Sequence, residues 1–169
     1  MDANELKELQ APVKQKYREM PESAAITLRA RGSVDDASIA CKVETGRALA
    51  VAGLHPATGG SGLELCSGDM LLEALVACAG VTLKAVATAL EFKLGGATVA
   101  AEGDLDFRGT LGVDKEAPVG FGEIRLTFEL DTDEPQERID TLIKLTERYC
   151  VVFQTLNTRP TLKVAAVAA

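Results

Sequence analysis

The feature that most constrains this 169-residue chain is one long apolar stretch, from Met70 to Leu90. The helix predicted from about residue 69 to residue 90 would be apolar on nearly every face, and the sequence LGG at 94–96 would end it. Such a helix is surrounded by protein or spans a membrane. Glu73 and Lys84 lie within it, and a membrane span of this length carries few or no charges, so we predict a buried core helix.

Strand-like alternation of apolar and polar residues occurs on both sides of this helix. The alternating segments before the helix are 26–31, 39–44 and 46–54, and those after it are 97–107 and 122–131. Alternation of this kind buries one face of a strand and exposes the other, which is typical of antiparallel sheets. The sequence therefore predicts strands that cover a core on one side only.

The order of the predicted elements indicates the fold class. A helix is expected over 134–149, a short helix directly after it, and a final strand over 161–167. Three strands, a helix, two strands, a helix and a strand make an α+β domain in which an antiparallel sheet packs around a central buried helix. We expect residues 25–169 to form this domain and residues 1–24 to form an N-terminal helical extension.

The charge and the N-terminus exclude several classes of protein. A net charge of -7 argues against a nucleic-acid partner, which would require clustered Lys and Arg. The first ten residues are charged and lack the apolar core of a secretory signal. We therefore expect a cytoplasmic protein that binds neither nucleic acid nor membrane, and whose four cysteines form no persistent structural disulfides.

Few residues have the types and spacing that catalysis or metal binding requires. The single histidine, His55, precedes a proline in a glycine-rich loop and is interpreted as a loop residue. The cysteines show no C-x-x-C spacing, so neither a zinc site nor another metal or cofactor is predicted. Cys41 falls on the apolar face of a strand, where a packed thiol is expected, and Cys66 precedes the long helix. Cys78 and Cys150 remain as candidates for chemistry.

Cys78 needs a stabilising interaction to become a thiolate, because apolar burial raises the pKa of a thiol. It lies nine residues beyond Asp69, about 13 Å along the helix, whereas the helix dipole acts within the first turn. A nucleophilic Cys78 would therefore need a cation, which Arg29, Arg31 or Arg47 of the N-terminal strands could supply. The residue pattern alone leaves two interpretations open, an inert core thiol and a nucleophile, and slightly favours the inert thiol.

Two segments resemble motifs of the osmotically inducible protein C and organic hydroperoxide resistance (OsmC/Ohr) family. GDMLLEALVACAGVTL at 68–83 resembles P-x-E-L-L-L-A-A-L-x-x-C-x-x-x-T, and LTERYCVVFQTLN at 145–157 resembles A-x-K-Y-C-P-V-x-Q-T-L. Both occur in the order of the family and at a comparable separation. This sequence departs from the motifs at Asp69, where the family has glutamate, and at Val151, where it has proline.

The resemblance implies a cysteine-based peroxidase without metal or haem, acting in the oxidative stress response. Cys78 would attack the peroxide as a thiolate, and Cys150 would resolve the sulfenic acid as a disulfide that a dithiol reductant then reduces. Arg31, with Arg29 as the second choice, would stabilise the thiolate, and Asp69 would hold the arginine. The family also implies an intertwined homodimer whose active sites use residues of both chains.

One alternative function and one requirement of the fold complete these expectations. The alternative is a non-catalytic dimeric protein of the same fold that binds a ligand or senses redox state. A helix that is apolar all round needs more cover than one sheet and one helix provide. A partner chain would supply it, through an interface larger than the roughly 2,000 Å² at which obligate interfaces begin.

Overall fold

The computed structural model describes residues 2–5, 8, 11, 19, 31–34, 40–44, 49–112 and 114–167; for 31–34, 40–44 and 49 it describes the backbone only. The helices and strands, in chain order, are β1 Arg31–Val34, β2 Ala40–Glu44, β3 Leu49–Gly53, β4 Leu65–Cys66, α1 Ser67–Ala89, β5 Gly96–Asp104, α2 Phe107–Thr110, β6 Glu123–Asp131, α3 Gln136–Tyr149 and α4 Val151–Thr158. A 3-10 turn at Pro56–Thr58 lies between β3 and β4. The predicted α+β class is confirmed.

Helix α1 forms the centre of the fold, as predicted. Its buried residues Leu75, Ala79, Leu83 and Ala87 recur every fourth position and form one stripe along the helix. The helix ends at Ala89, before the predicted stop at 94–96, because Glu91 adopts a left-handed backbone (φ 50°) and Phe92 N–H closes on the carbonyl of Ala87 at 2.8 Å. The chain thus turns at Glu91 without using either glycine.

The burial of α1 is confined to that stripe. Among the described residues, α1 is the one helix long and apolar enough to cross a membrane, a test that the core helix of a soluble domain also passes. Its stripe packs against β5 and α3, and Val81 on its other side is 74% exposed. Within one chain the predicted core helix is therefore covered on one side.

The strands form two separate sheets. Three strands of the first sheet, β1, β2 and β3, are antiparallel, so the predicted hairpin between 39–44 and 46–54 is confirmed. The two-residue strand β4, which the sequence did not predict, pairs in parallel with β3. The second sheet is the antiparallel pair β5 and β6. The predicted strand residues 26–30 lie outside the described residues.

The inward face of the second sheet covers α1. Side chains at alternate positions of both strands are partly buried against the helix stripe: Val99, Ala101, Ile124, Leu126, Phe128 and Leu130. The two strands pair in register from Gly96 opposite Asp131 to Asp104 opposite Glu123. Their alternation was therefore interpreted correctly at the level of individual residues.

Two strands after α1 differ from the sequence prediction. Strand β5 ends at Asp104 instead of continuing to residue 107, because the Asp106 carboxylate accepts the backbone N–H of Arg108 at 3.0 Å and starts the short helix α2. The predicted strand at 161–167 is wrong, since these residues form neither helix nor strand and all their side chains are exposed. Strand alternation forms a strand only where a neighbouring strand completes the hydrogen bonds, and no described strand of this chain does so.

The N-terminal extension is described at a few positions only. Residues 3–5, 8, 11 and 19 are helical, whereas Pro12 lies outside the described residues, and the extension over residues 1–24 stays a prediction. Asp2 and Glu5 cap the start reciprocally, since each side chain accepts the other's backbone N–H, at 2.9 and 2.8 Å.

Candidate functional site

Cys150 occupies the junction between two helices. It ends α3 and begins α4, its N–H donates to the carbonyl of Thr146 at 2.9 Å, and its carbonyl accepts from the N–H of Gln154 at 2.9 Å. Both backbone groups are therefore committed, one to each helix. The side chain is 1% exposed and belongs to a core cluster with Leu75 and Ala79 of α1.

The fold brings Cys78 to the same cluster. Cys78 lies near the middle of α1, next to the buried Ala79, and its half-buried side chain packs with Cys150 and with Val152 of α4. The two thiols are hydrogen-bonded, with Cys150 donating to the sulfur of Cys78. The fold therefore brings together two cysteines that are 72 positions apart in the sequence.

The start of α4 faces the sulfur of Cys78. The backbone N–H groups of Val152 and Val151, in the first turn of this helix, donate hydrogen bonds to that sulfur. The hydroxyl of Thr82 donates to the carbonyl of Cys78 at 2.7 Å and also lies within reach of its sulfur. A thiolate at this position has backbone N–H groups and the positive end of a helix to stabilise it.

The environment shifts the pKa values of the two thiols in opposite directions. Burial raises the pKa of Cys78, but the hydrogen bonds from Val152, Cys150, Val151 and Thr82 outweigh it, and the net pKa lies below its ordinary value. Burial raises the pKa of Cys150, and although the N–H of Phe153 opposes this, the neighbouring Cys78 adds to the increase. Cys78 is thus the thiol that ionises first and Cys150 the one that stays protonated.

The other predicted site residues lie elsewhere or are described in part. Asp69 is exposed in the first turn of α1 and lines a separate cavity of about 360 Å³ together with His55 and Cys66. Arg31 begins β1, where only its backbone is described, and Arg29 lies outside the described residues. The structure therefore brings Cys78 and Cys150 together, while the roles of Asp69 and of either arginine stay predictions.

His55 has structural partners, as expected for a loop residue. Its Nδ1 accepts the backbone N–H of Ala57 at 3.0 Å and so caps the 3-10 turn, and its ring stacks on that of Phe107 at 5.0 Å. No three His, Cys, Asp or Glu side chains within the described part of the chain are grouped to hold a metal ion.

An apolar cleft adjoins the cysteine pair. Its volume is about 530 Å³, and it lies between β6 and the helices. Six of its lining residues also belong to the cluster that contains both thiols, and three of these, Leu75, Phe153 and Leu156, come from the helices. The opposite wall is the inward face of β6, formed by Ile124, Leu126 and Phe128. Neither cysteine lines the cleft itself, so an apolar group of a small molecule bound in it would contact the cluster that contains both thiols.

Sequence reasoning missed the donors that face Cys78. Thr82 was within reach of such reasoning, because residues four apart lie on the same helix face. The N–H groups of Val151 and Val152 were not, because a backbone donor carries no residue type. The one local signal is that α4 begins directly after α3, which leaves the first N–H groups of α4 without intrahelical acceptors.

Comparison with known families places the chain next to proteins of one fold. The family model described as OsmC-like protein matches residues 60–165, which include both cysteines and the cleft. No curated protein matches the chain. The structure of an OsmC-like protein from Mycoplasma pneumoniae superposes with a TM-score of 0.65 at 17% identity, over 79% of this chain and 89% of that one.

Two further solved structures share the fold and carry names that refer to hydroperoxides. An organic hydroperoxide resistance protein from Legionella pneumophila gives a TM-score of 0.62 at 13% identity, over 79% of this chain and 93% of that one. One from Elizabethkingia anophelis gives a TM-score of 0.62 at 18% identity, over 80% and 91%. At such low identities the likeness shows the fold alone.

Proposed function

We propose, given that the chain belongs to the OsmC-like protein family, that it is a thiol-dependent reductase of organic hydroperoxides that uses Cys78 and Cys150. The observation that carries the proposal is the hydrogen-bonded pair of thiols with oppositely shifted pKa values. Peroxide reduction by two cysteines needs one thiolate nucleophile and one protonated partner nearby. The names of the Legionella and Elizabethkingia proteins support the choice of substrate.

In the proposed reaction the Cys78 thiolate attacks the terminal oxygen of a hydroperoxide ROOH. The O–O bond breaks, Cys78 becomes a sulfenic acid, and the alkoxide RO⁻ leaves as ROH after taking the proton of Cys150. The resulting Cys150 thiolate attacks the sulfur of the sulfenic acid, which forms the disulfide and releases hydroxide, and this hydroxide takes up the proton that Cys78 lost to the solvent when it ionised. ROOH and two thiols thus give ROH, water and a disulfide.

The disulfide is reset by a dithiol. Thiol–disulfide exchange passes through a mixed disulfide with one of the two cysteines. Cys150 is 1% exposed and Cys78 is half-buried, so the reductant would reach Cys78 more easily. We place the reaction in the cytoplasm, where a reversible disulfide of this kind is reduced again.

The apolar cleft supports an organic peroxide as the substrate in preference to hydrogen peroxide. Its apolar walls include Leu75, Phe153 and Phe128, which favour contact with an alkyl or aryl group. The polar side chains of Glu123, Glu147 and Asn157 line the rest of the cleft. Arg31, or Arg29, with Asp69 as its partner, stays part of the proposal as a further stabiliser of the thiolate.

The proposal includes a homodimer, which would cover the exposed side of α1. Val81 on that side, and Leu162 and Val164 near the C-terminus, are between 74% and 97% exposed. A second copy is the occupant that fits a surface of this length, since a stable pair would bury more than about 2,000 Å². Sedimentation at micromolar concentration should give twice the mass of the chain, and a monomer would contradict the dimer.

The reductase proposal is tested by consumption of an organic hydroperoxide in the presence of a dithiol. C78S should lose at least about 100-fold of the turnover, because it removes the nucleophile. C66S is the matched control: it removes the thiol of the residue that immediately precedes α1, and serine suits this N-cap position. It should keep turnover within about twofold of the unchanged protein.

Two results would contradict the reductase. Turnover that survives in C78S would show that another group reduces the peroxide. An unchanged protein that consumes no peroxide, although it is folded and its thiols are reduced, would favour the binding or redox-sensing alternative.

A further inference from the structure

We propose that the backbone N–H of Val151 is a positioning group for the Cys78 thiolate, so that residue 151 sets the reactivity of this cysteine through its main chain. The inference deepens the proposed function and rests on it for its catalytic meaning. It concerns a residue whose side chain has no part in the site, since Val151 is 68% exposed.

The geometry of α4 leaves this N–H available. Val151 is the first residue of α4, and the first helical hydrogen bond runs from the N–H of Gln154 to the carbonyl of Cys150. The N–H of Val151 therefore has no acceptor within the helix. The sulfur of Cys78, contributed by a different helix, accepts it, together with the N–H of Val152.

The consequence is that α1 does not activate its own cysteine. Cys78 lies too deep in α1 for the dipole of that helix, which acts over the first turn, whereas α4 begins against the sulfur. Two N–H groups aimed at one sulfur favour the thiolate over the thiol. The sequence motif that residues 145–157 resemble has proline at position 151, so this chain has a donor that such a motif lacks.

Proline at position 151 provides a selective test, because it removes the N–H while fitting the backbone. Proline is tolerated at the first position of a helix, where its fixed φ suits the geometry. Cys150 before it has φ -73° and ψ 108°, an extended conformation that a following proline accepts. V151A is the matched variant, since it loses the same side chain but keeps the N–H.

The experiment compares V151P with V151A in a background of C41S, C66S and C150S, in which Cys78 is the one cysteine left. The rate of alkylation by iodoacetamide is measured against pH, with circular dichroism to check the fold. The alkylation midpoint of V151P should lie higher by about half to one pH unit than that of V151A, which makes alkylation near pH 7 roughly threefold to tenfold slower. Coinciding profiles of two folded variants would overturn the proposal.

A second measurement keeps the proposal testable if V151P does not fold. In the same three-serine background with valine retained at 151, the amide proton of Val151 is followed by NMR across the same pH range. Its resonance should titrate with Cys78, because its acceptor changes from thiol to thiolate, and the titration should disappear in C78S. A Val151 amide that does not respond overturns the proposal. Neither measurement needs peroxide, so failure of the reductase proposal alone would leave these results intact.

Discussion

Two cysteines, one just before α1 and one within it, show what decides the chemistry of a thiol in this fold. Cys66 immediately precedes the first residue of α1, where a helix offers unpaired N–H groups, and Cys78 lies twelve residues further along, about 18 Å away. The position of Cys66 is the more favourable one by the usual rule for helix starts. Yet the described structure places a second thiol and two N–H donors against Cys78.

The helix that activates a cysteine therefore need not be the helix that carries it. The cavity beside Cys66 is lined by His55, Asp69 and aromatic rings, and the described residues include no other cysteine in its lining. The cluster around Cys78 contains Cys150 and the start of α4. Tertiary contact, and not position along α1, separates the two thiols.

The largest expected difference between the two sites is in disulfide formation. One equivalent of an organic hydroperoxide should convert nearly all of the protein to a Cys78–Cys150 disulfide, because these thiols are already hydrogen-bonded to each other. Peptide mapping after blocking of free thiols measures the connectivity. C150S should instead accumulate a sulfenic acid at Cys78, which dimedone traps.

C66S is the control for this experiment, and its disulfide yield should equal that of the unchanged protein. If the main product were a disulfide between Cys66 and either Cys78 or Cys150, the claim that, of Cys66 and Cys78, only Cys78 has a thiol partner in the described structure would be wrong. It would mean that α1 and its neighbours rearrange before the second thiol reacts.

A smaller effect is expected in the pH dependence of stability, measured by urea unfolding in a C66S background. The pKa of Cys78 is lower in the folded chain, so its thiolate stabilises the fold fully above the unfolded pKa of about 8.5, and this contribution is lost as the pH falls through the folded pKa. Stability relative to the C78S variant should therefore rise with pH across this window.

Cys150 provides the opposite sign within the same experiment. Its folded pKa is raised, so its contribution is fully present below about 8.5 and is lost as the pH rises through the folded pKa. Stability relative to the C150S variant should therefore fall with pH. Parallel trends for the two substitutions would contradict the assignment of Cys78 as thiolate and Cys150 as thiol.

Much of the fold was predictable, because burial imposes a period on the sequence. Strands β5 and β6 alternate residue by residue, and α3 shows helical spacing, so the amino-acid sequence is enough to assign their faces. The two cysteines were found through motif resemblance, since the pattern of apolar residues alone also allowed an inert core thiol at position 78.

What could not be predicted depends on partners that are distant in the chain. The segment 161–167 alternates like a strand, but alternation does not provide a neighbour for its backbone. The end of α1 depended on a left-handed Glu91, which residue preferences do not favour. Two of the donors to Cys78 are backbone N–H groups of α4, more than 70 positions away in the chain. No residue type in the sequence indicates such a donor.

The position of Cys150 between two helices has a mechanical consequence. Its N–H is held by α3 and its carbonyl by α4, so the backbone of this residue has almost no freedom to move without breaking a helix end. Rotation about its Cα–Cβ bond is then the one inexpensive motion that can carry its sulfur toward Cys78. Formation of the Cys78–Cys150 disulfide would therefore require the rotation of a single side chain. Any larger displacement of the Cys150 sulfur would require whole helices to slide against each other.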